Sequence, residues 1–216
     1  MWPKPAHQDE LQKRWMALAK SLGITSLEFD TEGQRLIRSW ARWPRKYHNT
    51  RHLLACLRHF AQVQDQMRDP VAVELALWFH DAIYWPWLSK NEEKSANWAV
   101  QFIQKMGLSP TLAQQVEQHI LDTKHQAIPS FGDAQWVVDI DLAILGQGNV
   151  AYQQFEKNVR SEYRWVRWSR YVKGRSAVLN SFLDRPRIYN TPWFFERYEI
   201  SARANLHQAI KALSAG

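Results

Sequence analysis

The sequence predicts an all-α protein, and three observations carry that reading. Only 8 of the 216 residues are glycine. Between chain breakers, apolar residues recur at helical spacing, which leaves little room for strands. Helix-start signals repeat, a capping side chain followed by proline at the first helical position: Asp69-Pro70, Ser109-Pro110 and Thr191-Pro192.

Taken in order, these signals place helices at roughly 8 to 22, 31 to 42 and 47 to 66. Asp69-Pro70 opens the next, 70 to 84, and Ser89 with Glu92 reads as a capping box for 91 to 106. Ser109-Pro110 opens 110 to 124. The segment 125 to 133, HQAIPSFGD, is the clearest loop, with Pro129 and Gly132 as breakers and Asp133 as a cap for 134 to 146. Helices follow at 149 to 173, 175 to 183 and, after Thr191-Pro192, 192 to 213. The loop at 125 is short and the candidate ligands lie on both sides of it, so one domain covering 1–216 is expected.

Lys and Arg outnumber Asp and Glu by 28 to 21, a formal charge of +7. Such a field attracts nucleic acid, nucleotides or membrane phosphate without choosing among them. A single cysteine, Cys56, rules out an intrachain disulfide and a multi-cysteine zinc site. No run approaches ~18 uninterrupted apolar residues, and MWPKPAHQDELQK lacks a signal peptide's apolar core. A cytoplasmic protein without a membrane partner is expected; oligomeric state is not legible.

The helix PVAVELALWFHDAIYW is apolar around most of its circumference, yet carries His80-Asp81 near its end. Ionisable groups in such a setting need partners, and a divalent cation would serve both. AQWVVDIDLAIL poses the same conflict with Asp139 and Asp141. Two residues apart on a helix, they point about 200° from each other, so one faces a metal and the other a cap, a salt bridge or solvent. Upstream, WPRKYHNTRHLL sets His48 and His52 a turn apart among Arg45, Lys46 and Arg51.

The order His52, His80-Asp81 and a later Asp resembles the HD superfamily of metal-dependent phosphohydrolases. YHNxxH at 47 to 52 is also similar to the motif of cyclic-nucleotide phosphodiesterases. The likeness is greatest to bacterial HD-type phosphohydrolases of about this length, through YHNxxH, WFHDAIY, NEExSA, DxDLAILG and a late EYxxV…GR…L segment, over about 40 to 206. The resemblance implies a single HD-domain helical bundle with additional C-terminal helices. It implies His52, His80, Asp81 and Asp141 as metal ligands, Asp141 being preferred to Asp139 because the family's apolar-Ala-Asp pattern aligns with Ile140-Asp141. It also implies His48 as general acid, with Asp81 counted in the catalytic set.

Imidazole with carboxylate suits one divalent transition ion, Mn, Fe, Co, Ni or Zn. Arg45, Lys46 and Arg51 are candidate phosphate contacts, and Glu92, beside Asn91, is a candidate for orienting a water or a ligand. HILDTKH adds His119 and His125; contact of Lys124 or His125 with substrate is expected ahead of a second metal. In VRSEYRWVRWSRYVKGR, Arg160, Arg164 and Arg167 share a helix face beside Trp168, with Arg175 in the GR segment; arginine among aromatics can grip phosphate and stack a base. An ion-paired face built on Glu156 and Arg160 is the plainer reading of that stretch.

The expected activity is therefore metal-dependent hydrolysis of a phosphate ester or anhydride in a small phosphorylated molecule, a nucleotide first. The rivals are a silent or regulatory HD scaffold that binds nucleic acid or nucleotide through its basic surface, and a di-iron oxidative enzyme.

Overall fold

The computed structural model describes residues 6–215. Among them are ten α-helices, two short 3-10 segments and no strand. The chain divides into two compact units, Met1–Val137 and Val138–Gly216. No helix among the described residues is long and apolar enough to cross a membrane.

The first unit contains α1 (Ala6–Ser21), α2 (Leu27–Trp40), α3 (Thr50–Val63), α4 (Pro70–Phe79), α5 (Asn91–Lys105) and α6 (Pro110–Asp122). At its centre α4 packs on α3, α5 and α6. That position matches its composition: from Ala72 to Phe79 every residue except Glu74 is buried, seven of them apolar. The core beside it is aromatic. Trp15 stacks on Phe29 at 4.5 Å and meets Trp78 edge-on at 5.0 Å, and its indole N–H donates to Phe29 O at 2.8 Å. Gly33 makes this possible, because a Cβ there would collide with the Trp15 ring.

Several boundaries differ from expectation, each for a local reason. Helix α2 starts at Leu27 because Ser26 accepts from Phe29 N at 3.1 Å. Helix α3 starts at Thr50, not 47, because Asn49 caps it by accepting from Arg51 N at 2.9 Å. His48 therefore lies in the preceding turn, not on the helix. Helix α4 stops at Phe79, not 84, so His80-Asp81 occupies its C-terminal end. The expected capping box of α5 does not form: Lys90 is its N-cap, without a side-chain bond. Asn91 instead accepts from Trp85 N at 3.1 Å and donates to the carbonyls of Trp85 and Leu88, while Ser95 Oγ accepts from Ile83 N at 3.0 Å. These side chains pin the 80 to 90 loop.

Helix α7 (Asp133–Asp141) runs on from the first unit. Its Asp133 carboxylate accepts from Arg68 N and Asp69 N at 3.1 and 2.7 Å. The second unit continues with a 3-10 turn, Leu142–Gly146, then α8 (Asn149–Glu162), α9 (Trp168–Leu183) and α10 (Pro192–Ala215). Here α10 packs on the 3-10 turn, α8 and α9. Gly146 is needed where Tyr198 crosses, since a Cβ would meet its side chain and backbone.

Two buried carboxylates hold the loop before α10. Glu199 accepts from Ile188 N and Tyr189 N, and from Arg203 Nε at 2.8 Å. Asp139, wholly buried, accepts from the Asn190 and Thr191 amides, the Asn190 side chain and the Thr191 hydroxyl, all within 3.0 Å. Burial pushes its carboxyl up to about 6, against the lowering effect of those bonds.

The expected helix 149 to 173 is broken at 163–167, so Arg160, Arg164 and Arg167 do not share one helix face. Arg160 donates to the carbonyls of Tyr163 and Val166, closing the turn. The Glu156–Arg160 pair is also replaced: Glu156 binds Arg175 at 2.6 Å.

Candidate metal centre

Both α3 and α4 place a histidine where their axes deliver it to the interior. His52 is in the first turn of α3, on the face that also buries Cys56 and Leu53. His80 caps α4 at its C-terminal end and is 1% exposed. Their Nε2 atoms are 3.3 Å apart. The His80 Nδ1 atom is 2.9 Å from Leu77 O; a carbonyl only accepts, so Nδ1 donates to it and Nε2 is the nitrogen turned toward His52. This is the outer contact typical of a metal-bound histidine.

Three more donors surround the pair. Asp81 brings Oδ2 to 3.6 Å from His80 Nε2 and is 8% exposed. Cys56 lies one turn after His52 on α3, its Sγ 3.8 Å from both ring nitrogens. The last turn of α7 supplies Asp141. One ligand atom each from His52, Cys56, His80 and Asp141 lies within 4.8 Å of all the others. Among the described residues this is the one such group.

The donor chemistry fits a transition ion. Two imidazole nitrogens that share a tetrahedral ion at ~2.1 Å stand ~3.4 Å apart, and cis octahedral ligands ~3.0 Å. The observed 3.3 Å falls in that range. Helix α4 also directs its C-terminal end, the negative pole of its dipole, at the site. Cys56 adds a soft donor that favours ions accepting sulfur, such as Zn²⁺.

The floor of the site is Trp40, wholly buried, with its ring 5.2 Å from that of His80 and 6.1 Å from that of His52. Its indole N–H donates to Trp78 O at 3.0 Å. At the rim, His48 stacks on Tyr84 at 4.1 Å, and its ring is 6.1 Å from that of His52. Arg45 reaches inward, but to backbone: it donates to Asp81 O at 2.7 Å, Ala82 O at 3.0 Å and His48 O at 3.2 Å. It thereby ties the turn carrying His48 to the end of α4. Ser39 donates to the same Ala82 carbonyl.

The remaining sequence candidates are dispersed. Lys46 and Arg51 are exposed. Glu92 is half-buried near Asp81; burial first, then the Asp81 and Glu93 charges, raise its carboxyl above the ordinary range. Lys124 pairs with Glu93 at 2.8 Å. His125 follows α6 in a left-handed conformation, φ 56°. His119 is buried on α6 and kept below its usual pKa chiefly by that burial. In the second unit Asp139 is engaged at residues 190 and 191, Arg164 is exposed, and Arg175 is bound to Glu156.

Sequence reasoning missed Cys56 and Trp40. The four-residue spacing from His52 to Cys56 was readable; the role of Trp40 was not, since only tertiary packing brings α2 beneath the pair. Comparison with family models, with curated proteins and with solved structures gave no match. The class of protein thus rests on fold and site: an all-α protein with a buried His, Cys, His and Asp cluster able to hold a metal ion, compatible with an HD domain.

Proposed function

We propose that the protein is a metal-dependent phosphohydrolase of the HD type, acting on a small phosphorylated molecule, a nucleotide first. The observation that carries the reading is the buried donor cluster of His52, Cys56, His80 and Asp141, with Asp81 beside it. Bound there, a divalent ion would lower the pKa of a water from ~15.7 toward ~7 and polarise a phosphoryl group.

The chain's own residues would do the rest. His52 and His80 offer neutral nitrogens, the latter fixed in its tautomer by Leu77 O. Asp81 and Asp141 offset the charge of the ion. His48 stands at the rim, where a leaving oxygen would need a proton donor, and its stacking on Tyr84 keeps the ring in place. Arg45 acts as a positioning residue, setting His48 relative to Asp81 through backbone carbonyls.

Metal analysis combined with a Mn²⁺-supplemented screen of nucleotides, cyclic nucleotides and guanosine polyphosphates tests the proposal. Wild-type protein should carry about one ion per chain and release phosphate or cleave a phosphodiester, and Asp81→Ala should lose the activity. Full activity in metal-stripped protein would sink the reading.

A further inference from the structure

The second unit contains a cavity of about 510 Å³ that the metal reading leaves unused. It is lined by Tyr163, Trp165, Arg167, Arg170, Tyr171 and Arg175 among others, and by no carboxylate. Arg175 is already neutralised by Glu156 at 2.6 Å. Arg167 and Arg170 are exposed, and no ion pair forms on either among the described residues.

The placing of these arginines runs against the stability of their own helix. Arg167 is the N-cap of α9 and Arg170 lies in its first turn; that turn contains no acidic residue, and no side chain caps it. The positive end of a helix dipole favours carboxylates and repels cations. Two unpaired cations there, with uncapped amides between them, form an arrangement that an anion would relieve. The aromatic lining is equally uneconomical for a free surface: Trp165 is 58% exposed on the cavity wall, beside Tyr163.

We propose that this cavity binds a mononucleotide, with Arg167, Arg170 and the start of α9 on the phosphate and with Trp165 and Tyr163 against the base. Size favours a single nucleotide over a nucleic-acid strand, because the volume is that of a small-molecule pocket, ~300 to 1,000 Å³, and the basic residues gather at one helix start instead of forming a track. Stacking on aromatic side chains tolerates any base, so the recognised chemistry is a planar ring carrying a phosphate. The proposal does not depend on the metal centre.

Calorimetric titration of the full chain with AMP and GMP, each beside its nucleoside and inorganic phosphate, tests it. At least one nucleotide should bind ~10-fold or more tightly than its nucleoside or phosphate alone. Arg167→Ala/Arg170→Ala and Trp165→Ala should each weaken it ~10-fold or more, with circular dichroism unchanged because all three side chains are exposed. Chelator-treated, metal-free protein should keep the nucleotide affinity that Arg167→Ala/Arg170→Ala removes, which separates this site from the metal centre. The proposal is overturned if neither nucleotide binds, if phosphate alone binds as well, if the arginine variant keeps full affinity, or if removing the metal abolishes binding. Preference for a single-stranded oligonucleotide, with affinity falling steeply with salt, would replace it by a nucleic-acid surface.

Discussion

The metal centre can be tested without knowing a substrate. A ligand that binds only the folded chain stabilises it by RT ln(1 + [L]/Kd), about 2.7 kcal/mol at a free ion concentration 100 times Kd. Three of the four clustered donors belong to the unit Met1–Val137. At ~2.1 cal/mol/K per residue, the unfolding entropy of a unit that size is about 0.3 kcal/mol/K. The ion should therefore raise its melting temperature by about 9 °C. The assay is calorimetric unfolding of chelator-treated protein, titrated with Zn²⁺ or Mn²⁺, alongside the double variant His52→Ala/His80→Ala. Only the ion-dependent increment within each protein is compared, so any change in the variant's own stability drops out. The variant should show no increment and bind no stoichiometric ion. An equal increment in both proteins, or none in the wild type with every ion tried, refutes the assignment.

Other consequences follow from buried groups. Burial pushes Glu74 up to about 7, with Arg14 pulling the other way, so the folded chain holds this proton more tightly than the unfolded one. Its contribution is greatest below pH ~4.5 and is lost as pH rises toward 7, by about 3 kcal/mol; urea unfolding should show Glu74→Gln gaining on the wild type over that window, and a parallel pH dependence in both would contradict it. Asp139→Ala leaves the donors of half-buried Asn190 and buried Thr191 without their acceptor and should cost ~3 kcal/mol or more, read as a lower urea midpoint. Gly33→Ala drives a methyl group into Trp15 and should cost ~1 to 3 kcal/mol; a neutral result would mean that α2 can shift away from α1.

The sequence declared where helices begin better than where they end. Asp69-Pro70 marks the start of α4, and the carboxylate does cap it, accepting from Ala72 N at 3.0 Å. Its end was invisible because HDAIYW is as apolar as the helix it follows. What stops α4 at Phe79 is tertiary: Arg45 and Ser39 donate to the carbonyls of Asp81 and Ala82, and Ser95 Oγ accepts from Ile83 N. The break at 163–167 has the same character, since neither glycine nor proline occurs there and the turn is closed by Arg160 on carbonyls. In the site, the spacing of His52, His80 and Asp141 along the chain was legible because each is a polar residue in an apolar run. Cys56 raises no such conflict, a thiol being at home in a core, and so it escaped notice.

The same physics argues for a cation in the cluster. The Nε2 atoms of His52 and His80 face each other at 3.3 Å, where a proton on one of them or a cation between them would serve both. A proton would satisfy two nitrogens, whereas the Asp81 carboxylate and the negative end of α4 also lie at the almost wholly buried His52 and His80, and a cation between the rings would serve them as well. A divalent ion answers all of these at once. It also accounts for the bracing, by Arg45, Asn91 and Ser95, of the turn carrying His48 and the loop after the His-Asp pair: ligands held on fixed backbone need no rearrangement to receive an ion. Loosening that frame should therefore weaken ion binding without touching a donor, and Arg45→Ala is where it should show first.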